Sequence, residues 1–165
     1  MQFRKKIGNG GMVSALLFAM VGSVHGEPVT FTGGWVADFS AAMMESAQTS
    51  TTVFQFEGSY KMTTKRRGDS YLLLTCVGME AATKIKEGET LTKGNGRCEF
   101  KDKDGDKLVA AMETAFDGFS LKFDGGTGKW TGTRGGVVSK ENFTVETERQ
   151  LKGYSNAKGD IQLPD

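Results

Sequence analysis

The chain has 165 residues, with 21 Lys and Arg against 20 Asp and Glu, and a single histidine, His25. A balance this close to neutral makes it a poor electrostatic partner for nucleic acid. His25 falls inside an N-terminal leader, so Ser-His catalysis, Cys-His catalysis and any histidine metal site are closed to the rest of the chain.

Residues 1–26 read as a secretion signal. Arg4, Lys5 and Lys6 form a basic start, and Met12 to Val21 is an apolar run centred on Leu16, Leu17 and Phe18. Val24 and Gly26 supply small residues for cleavage before Glu27. The apolar run is short for a membrane span, and the leader has no cysteine for a lipid anchor, so no anchor is expected after cleavage. Losing three basic residues and no acidic one leaves residues 27–165 slightly acidic, as one secreted or periplasmic domain. Cys76 and Cys98 are its only cysteines, and in an oxidising compartment an isolated pair most simply forms one disulfide.

The rest of the chain has the pattern of short strands separated by glycines. Val29 to Trp35 is the opening strand. Val36, Phe39, Met43 and Ala47 then sit at helical spacing, which allows a short helix over 36–47, and Ser46 to Thr52 is a Ser/Thr-rich loop. Val53 to Met62 alternates cleanly, with Phe54, Phe56, Tyr60 and Met62 on one face and Gln55, Glu57, Ser59 and Lys61 on the other. Lys65-Arg66-Arg67-Gly68-Asp69 is a charged turn, followed by a strand over Ser70 to Met79 carrying Tyr71, Leu73 and Cys76. Further strands are expected at Gly96–Lys101, Lys107–Thr114, Phe119–Phe123, Lys129–Thr133 and Phe143–Leu151, with a short closing strand at Asp160–Leu163. About eight such strands predict an all-β fold, a closed antiparallel barrel or a sandwich.

The turns contain the motifs that tempt a chemical reading. Gly125-Gly126-Thr127-Gly128-Lys129-Trp130 contains Gly-Lys, but Trp130 stands where a phosphate loop needs Ser or Thr, so glycines making tight turns explain it better. Asp102, Asp104, Asp106 and Glu113 match carboxylate positions of a calcium loop. Lys107 occupies the position of the required glycine, so a hairpin turn is the better reading and no metal is expected. Arg67-Gly68-Asp69 is an adhesion-type tripeptide that an exposed turn explains equally well. Glu57, Glu80, Glu99 and Glu113 lie in or beside strands, and alternation puts Glu57 and Glu113 outside. No carboxylate stands out as buried, which weighs against an enzyme.

From Cys76 to Gly136 the motif order is Cys76-Val77-Gly78, Gly94-Asn95-Gly96-Arg97-Cys98, Asp102 to Lys107, and Phe123-Asp124-Gly125-Gly126-Thr127-Gly128-Lys129-Trp130-Thr131-Gly132. This order resembles small secreted bacterial proteins with an allene oxide cyclase-like barrel. The Gly-Thr-Gly-Lys-aromatic-x-Gly element is also similar to one in dirigent proteins. The resemblance implies a single eight-stranded antiparallel barrel of calycin type, in a dimer or trimer. It implies a hydrophobic small molecule in the lumen and no cofactor.

Three functions follow as expectations. The first is a barrel that binds a small hydrophobic ligand, lined by Phe54, Phe56, Tyr60, Met62 and Tyr71 with Trp130 at the mouth. The second is a cofactor-free cyclase or isomerase acting on an unsaturated, lipid-like substrate. The third is an envelope or host-surface interaction protein using the outer face and the Lys65 to Asp69 turn.

Overall fold

The computed structural model describes residues 26–40, 44–46, 48–87, 89–115, 118–147 and 149–165. The leader expected over 1–26 lies almost wholly outside them.

The strands are β1 (Glu27–Phe39), β2 (Met44–Glu45), β3 (Thr49–Thr64), β4 (Gly68–Lys86) and β5 (Glu89–Asp102). They continue with β6 (Lys107–Ala115), β7 (Gly118–Gly126), β8 (Arg134–Glu146) and β9 (Gln150–Gln162). Each long strand pairs antiparallel with its chain neighbour from β3 to β9. β1 pairs with both β9 and β3, which closes eight strands into a barrel, and β2 is a short addition on β3. Closure leaves no long sheet edge exposed for aggregation.

Strand alternation sends every second side chain into the lumen. Phe31 lies against Phe100 and Phe123, with ring centroids 5.4 and 5.5 Å apart, and Trp35 stacks on Phe56 at 4.8 Å. A barrel of this size has room for such rings only where facing positions are small. The Phe54 ring covers Gly78, and a Cβ on Gly153 would lie 2.9 Å from Trp35 Cζ2. Cys76 and Cys98 are direct cross-strand partners on β4 and β5, and they form the expected disulfide inside the barrel, with both residues buried.

The turns at Lys65–Arg67 and Asp102–Asp106 form as anticipated, and Gly68, Gly105, Gly125, Gly128, Gly132 and Gly135 have positive φ. Four local expectations need correction. No helix occurs among the described residues of 36–47: Val36 to Phe39 continue β1, and Met44–Glu45 is a strand. Pairing of β1 on both sides overrides the helical spacing. Thr49 to Thr52 belong to β3 rather than to a loop. Lys129 to Thr133 is not a strand, because Gly128–Trp130 forms a single 3-10 turn. Phe143–Leu151 is two strands, the end of β8 and the start of β9.

Candidate functional site

The two ends of the barrel differ. One end carries the turns after β3, β5 and β7 together with the C-terminus, and it is sealed. Trp130 plugs it, fully buried, with its indole N–H donating to Asp102 Oδ2 at 3.0 Å. Asp102 Oδ1 accepts the backbone N–H groups of Asp104 and Asp106 at 2.8 and 3.0 Å. Lys129 Nζ pairs with Asp102 at 2.8 Å and with Asp104 at 3.0 Å. Burial pushes the Asp102 carboxyl up, but hydrogen bonds from Lys129, Trp130 and the Asp104 N–H outweigh it and hold the carboxyl below its usual range. The Arg67 guanidinium lies over the Trp130 ring at 5.1 Å and donates to the carbonyls of Lys129 and Pro164.

This arrangement accounts for several sequence motifs. The aspartates of the calcium-loop match are occupied by a lysine, an indole and backbone groups. Glu113 lies exposed toward the other end of β6. Among the described residues, no group of acids converges in a way that could hold a metal ion. The adhesion-type tripeptide is also tied down: Arg67 is engaged as above, and Asp69 accepts from Thr63 Oγ1 at 2.6 Å and Lys61 Nζ at 3.4 Å.

Among the described residues the opposite end is open, and a cleft of about 80 Å³ enters the lumen there. Its walls include Trp35, Phe39, Phe54, Phe56 and Phe119, with Glu80 from β4 and Glu141 from β8 among them. Both glutamates follow from strand parity. Leu72, Leu74 and Cys76 point inward, and continuing the alternation through Gly78 brings Glu80 inward as well. Val137 and Ser139 do the same for Glu141.

Among the described residues, the two acids sit in polar settings without a cation. Glu80 Oε2 accepts from Thr114 Oγ1 at 3.1 Å. Tyr60 Oη lies 3.0 Å from Ser155 Oγ, and Ser155 Oγ donates to the Glu141 carboxyl at 2.9 and 3.1 Å. With the single Ser155 proton directed at Glu141, the Tyr60 hydroxyl donates to Ser155 and the three groups form a chain. Burial raises the Glu80 carboxyl above its usual range, opposed by the Thr114 hydrogen bond. Burial also raises Glu141, opposed chiefly by the hydrogen bond from Ser155. Burial raises the Tyr60 phenol, so it stays neutral and acts only as a hydrogen-bonding group.

On one side the wall of this end is low. The β6–β7 hairpin pairs no further than Ala115↔Gly118, while β5 begins at Glu89 and β8 runs on to Glu146. A groove of about 560 Å³ lies outside it, lined by Lys93, Glu113 and Lys140 among others. Groove and cleft share Thr114, Ala115, Gly118 and Phe119.

The expected lining residues are therefore dispersed. Phe54 and Phe56 line the cleft, Tyr60 stands behind it at Ser155, and Met62 is fully buried deeper in the barrel. Tyr71 is 70% exposed on the outer face, and Trp130 is at the sealed end rather than at the mouth. Glu80 and Glu141 face inward but are only half-buried; the carboxylate that corrects the expectation that none is buried is Asp102, at the sealed end.

No family model and no curated protein matches the chain. Among solved structures it is similar to a pterocarpan synthase dirigent protein, at 14% identity and a TM-score of 0.42, over 84% of this chain and 93% of that one. At that identity no residue role passes from that protein to this one.

Proposed function

We propose that the protein is an exported barrel that holds one small, mainly apolar molecule in the open-end cleft. The observation that carries this reading is the placement of five aromatic side chains and two inward carboxyl groups around one opening, at the end opposite the Trp130 plug. The cleft is smaller than the ~300–1,000 Å³ of sites for drug-sized ligands. It suits a compact molecule, or the end of a longer one whose remainder lies in the outer groove. The leader over residues 1–26 and the disulfide both fit an oxidising compartment outside the cytosol.

Two further readings have an observation behind them. A cofactor-free cyclase or isomerase would use Glu80 or Glu141 as general acid and base, since burial keeps a proton on each to higher pH than usual. Self-association as a dimer or trimer would cover Tyr71, Leu73, Val77 and Met79, which form an exposed apolar stripe on the outer face of β4.

Native mass spectrometry of the exported protein, followed by denaturing extraction, tests the binding reading. A small molecule that co-purifies and is released on unfolding is the expected result. A clean unliganded mass together with no uptake of a hydrophobic fluorescent probe would refute it. Turnover of an unsaturated substrate that is lost in Glu80→Gln and Glu141→Gln would establish the cyclase or isomerase reading.

A further inference from the structure

The open-end cleft contains acids that the chain does not answer with a base. Glu80 and Glu141 reach it from different strands, and among the described residues neither forms a salt bridge. Among the described residues, no lysine, arginine or histidine lines the cleft. The hydrogen-bond partners of the two carboxyls are neutral hydroxyls: Thr114 for Glu80 and Ser155 for Glu141. The contrast with the sealed end is direct, where the buried Asp102 has Lys129.

The remaining wall is aromatic. Trp35 stacks on Phe56, Phe119 meets Phe56 edge-on at 6.1 Å, and Phe39 is tilted against Phe54 at 6.3 Å. Ring faces carry negative potential and attract cations, most strongly where water is excluded. A neutral apolar ligand would use the rings but leave two half-buried carboxyls without a cationic partner. An anion would be repelled. A compact cation with an apolar surface uses both kinds of wall.

We propose that the cleft is a binding site for a small organic cation, an alkyl- or aryl-ammonium group whose charge meets Glu80 and Glu141 while its carbon surface meets the rings. This rests on the reading of the cleft as the ligand site and names the class of its ligand.

Proton linkage separates this class from a neutral ligand. Among the described residues, the titratable groups facing the site are Glu80 and Glu141, with Tyr60 behind Ser155; Lys93, Lys140 and Glu113 line the outer groove and not the cleft. A cation binds the ionised carboxyls, so its affinity rises with pH as they lose their protons. A neutral molecule that accepts a hydrogen bond from a protonated carboxyl binds more weakly as pH rises.

The test is calorimetric titration of the exported protein with benzyltrimethylammonium and with neopentylbenzene, its uncharged carbon isostere, across the carboxyl titration range. The expected result is a preference for the cation of about tenfold or more at neutral pH, shrinking toward acid pH. Exchanging both glutamates for glutamine should abolish the preference without weakening the neutral probe, with thermal melting confirming the fold. Equal affinity for the two probes, or a preference that falls with rising pH, overturns the cation site and leaves the ligand-binding reading standing. Binding of neither probe overturns both. The comparison of probes on the unsubstituted protein decides the matter even if the double variant fails to fold.

Discussion

Asp102→Ala should be among the most damaging single substitutions in the barrel. The Asp102 side chain is 3% exposed and serves four donors: the Trp130 indole, the Lys129 ammonium and two backbone N–H groups. Alanine leaves the indole N–H buried without an acceptor, which costs about 1–3 kcal/mol by itself. Water can reach the two turn N–H groups, so their loss adds less than the full value of a charge-assisted bond. The expected total is about 3–5 kcal/mol, the range found when one partner of a buried charged network is removed. For a domain of this size that lowers the melting temperature by roughly 10–15 °C.

Trp130→Phe keeps an aromatic plug but removes the donor and part of the ring volume, so it should cost about 2–3 kcal/mol. Urea unfolding of the two single variants and the double variant gives their coupling, expected above about 1 kcal/mol. The folded carboxyl of Asp102 titrates below its unfolded value, so its stabilisation is present above the ordinary aspartate range and is lost as pH falls through the folded value. The cost of Asp102→Ala should therefore shrink in strong acid. A cost below about 1 kcal/mol, or additive single variants, would refute the idea that this network seals the barrel.

Glu80 and Glu141 titrate in the opposite sense, because burial raises both carboxyls in the folded state. Their favourable contribution is complete below the ordinary glutamate range and is lost as pH rises through the folded values. Glu80→Gln and Glu141→Gln should flatten that loss, seen as smaller differences between thermal melts in mild acid and at neutral pH. Cys76 and Cys98 are 1% and 2% exposed, so the disulfide should resist reduction until the barrel unfolds, measured by thiol trapping under increasing urea. Removing it should cost about 3 kcal/mol on the chain-entropy model. Gly153→Ala would drive a Cβ against the Asn142 carbonyl and Trp35, and should cost about 1–3 kcal/mol with a shift in Trp35 fluorescence.

What the sequence revealed depends on which residues face the lumen. β3 and β7 were legible because large apolar side chains alternate with polar ones, as in Phe119, Leu121 and Phe123. β8 and β9 were not, because their inward positions include Ser139, Glu141, Ser155 and Gly159, which break the apolar period. The same fact hid the site. Glu80 is among the carboxylates that the sequence places in or beside strands, but a strand ending at Met79 leaves its face unassigned, whereas β4 runs on to Lys86. Parity carried past the last apolar residue would have found it. Trp130 was misplaced for another reason: its neighbours have the composition of a strand, but glycines at positive φ on either side make a turn that folds the indole back onto Asp102.

The two tryptophans mark the two ends of the barrel, Trp35 at the open cleft and Trp130 at the sealed end. Their indole N–H signals in a nitrogen-correlated NMR spectrum therefore report directly which end takes a ligand. Titration with benzyltrimethylammonium should move the Trp35 indole signal, together with the amides of Phe54, Glu80, Phe119 and Glu141, and leave the Trp130 indole in place. Movement of the Trp130 signal, or shifts confined to the outer face of β4, would place binding elsewhere and contradict the open-end cleft as the functional site.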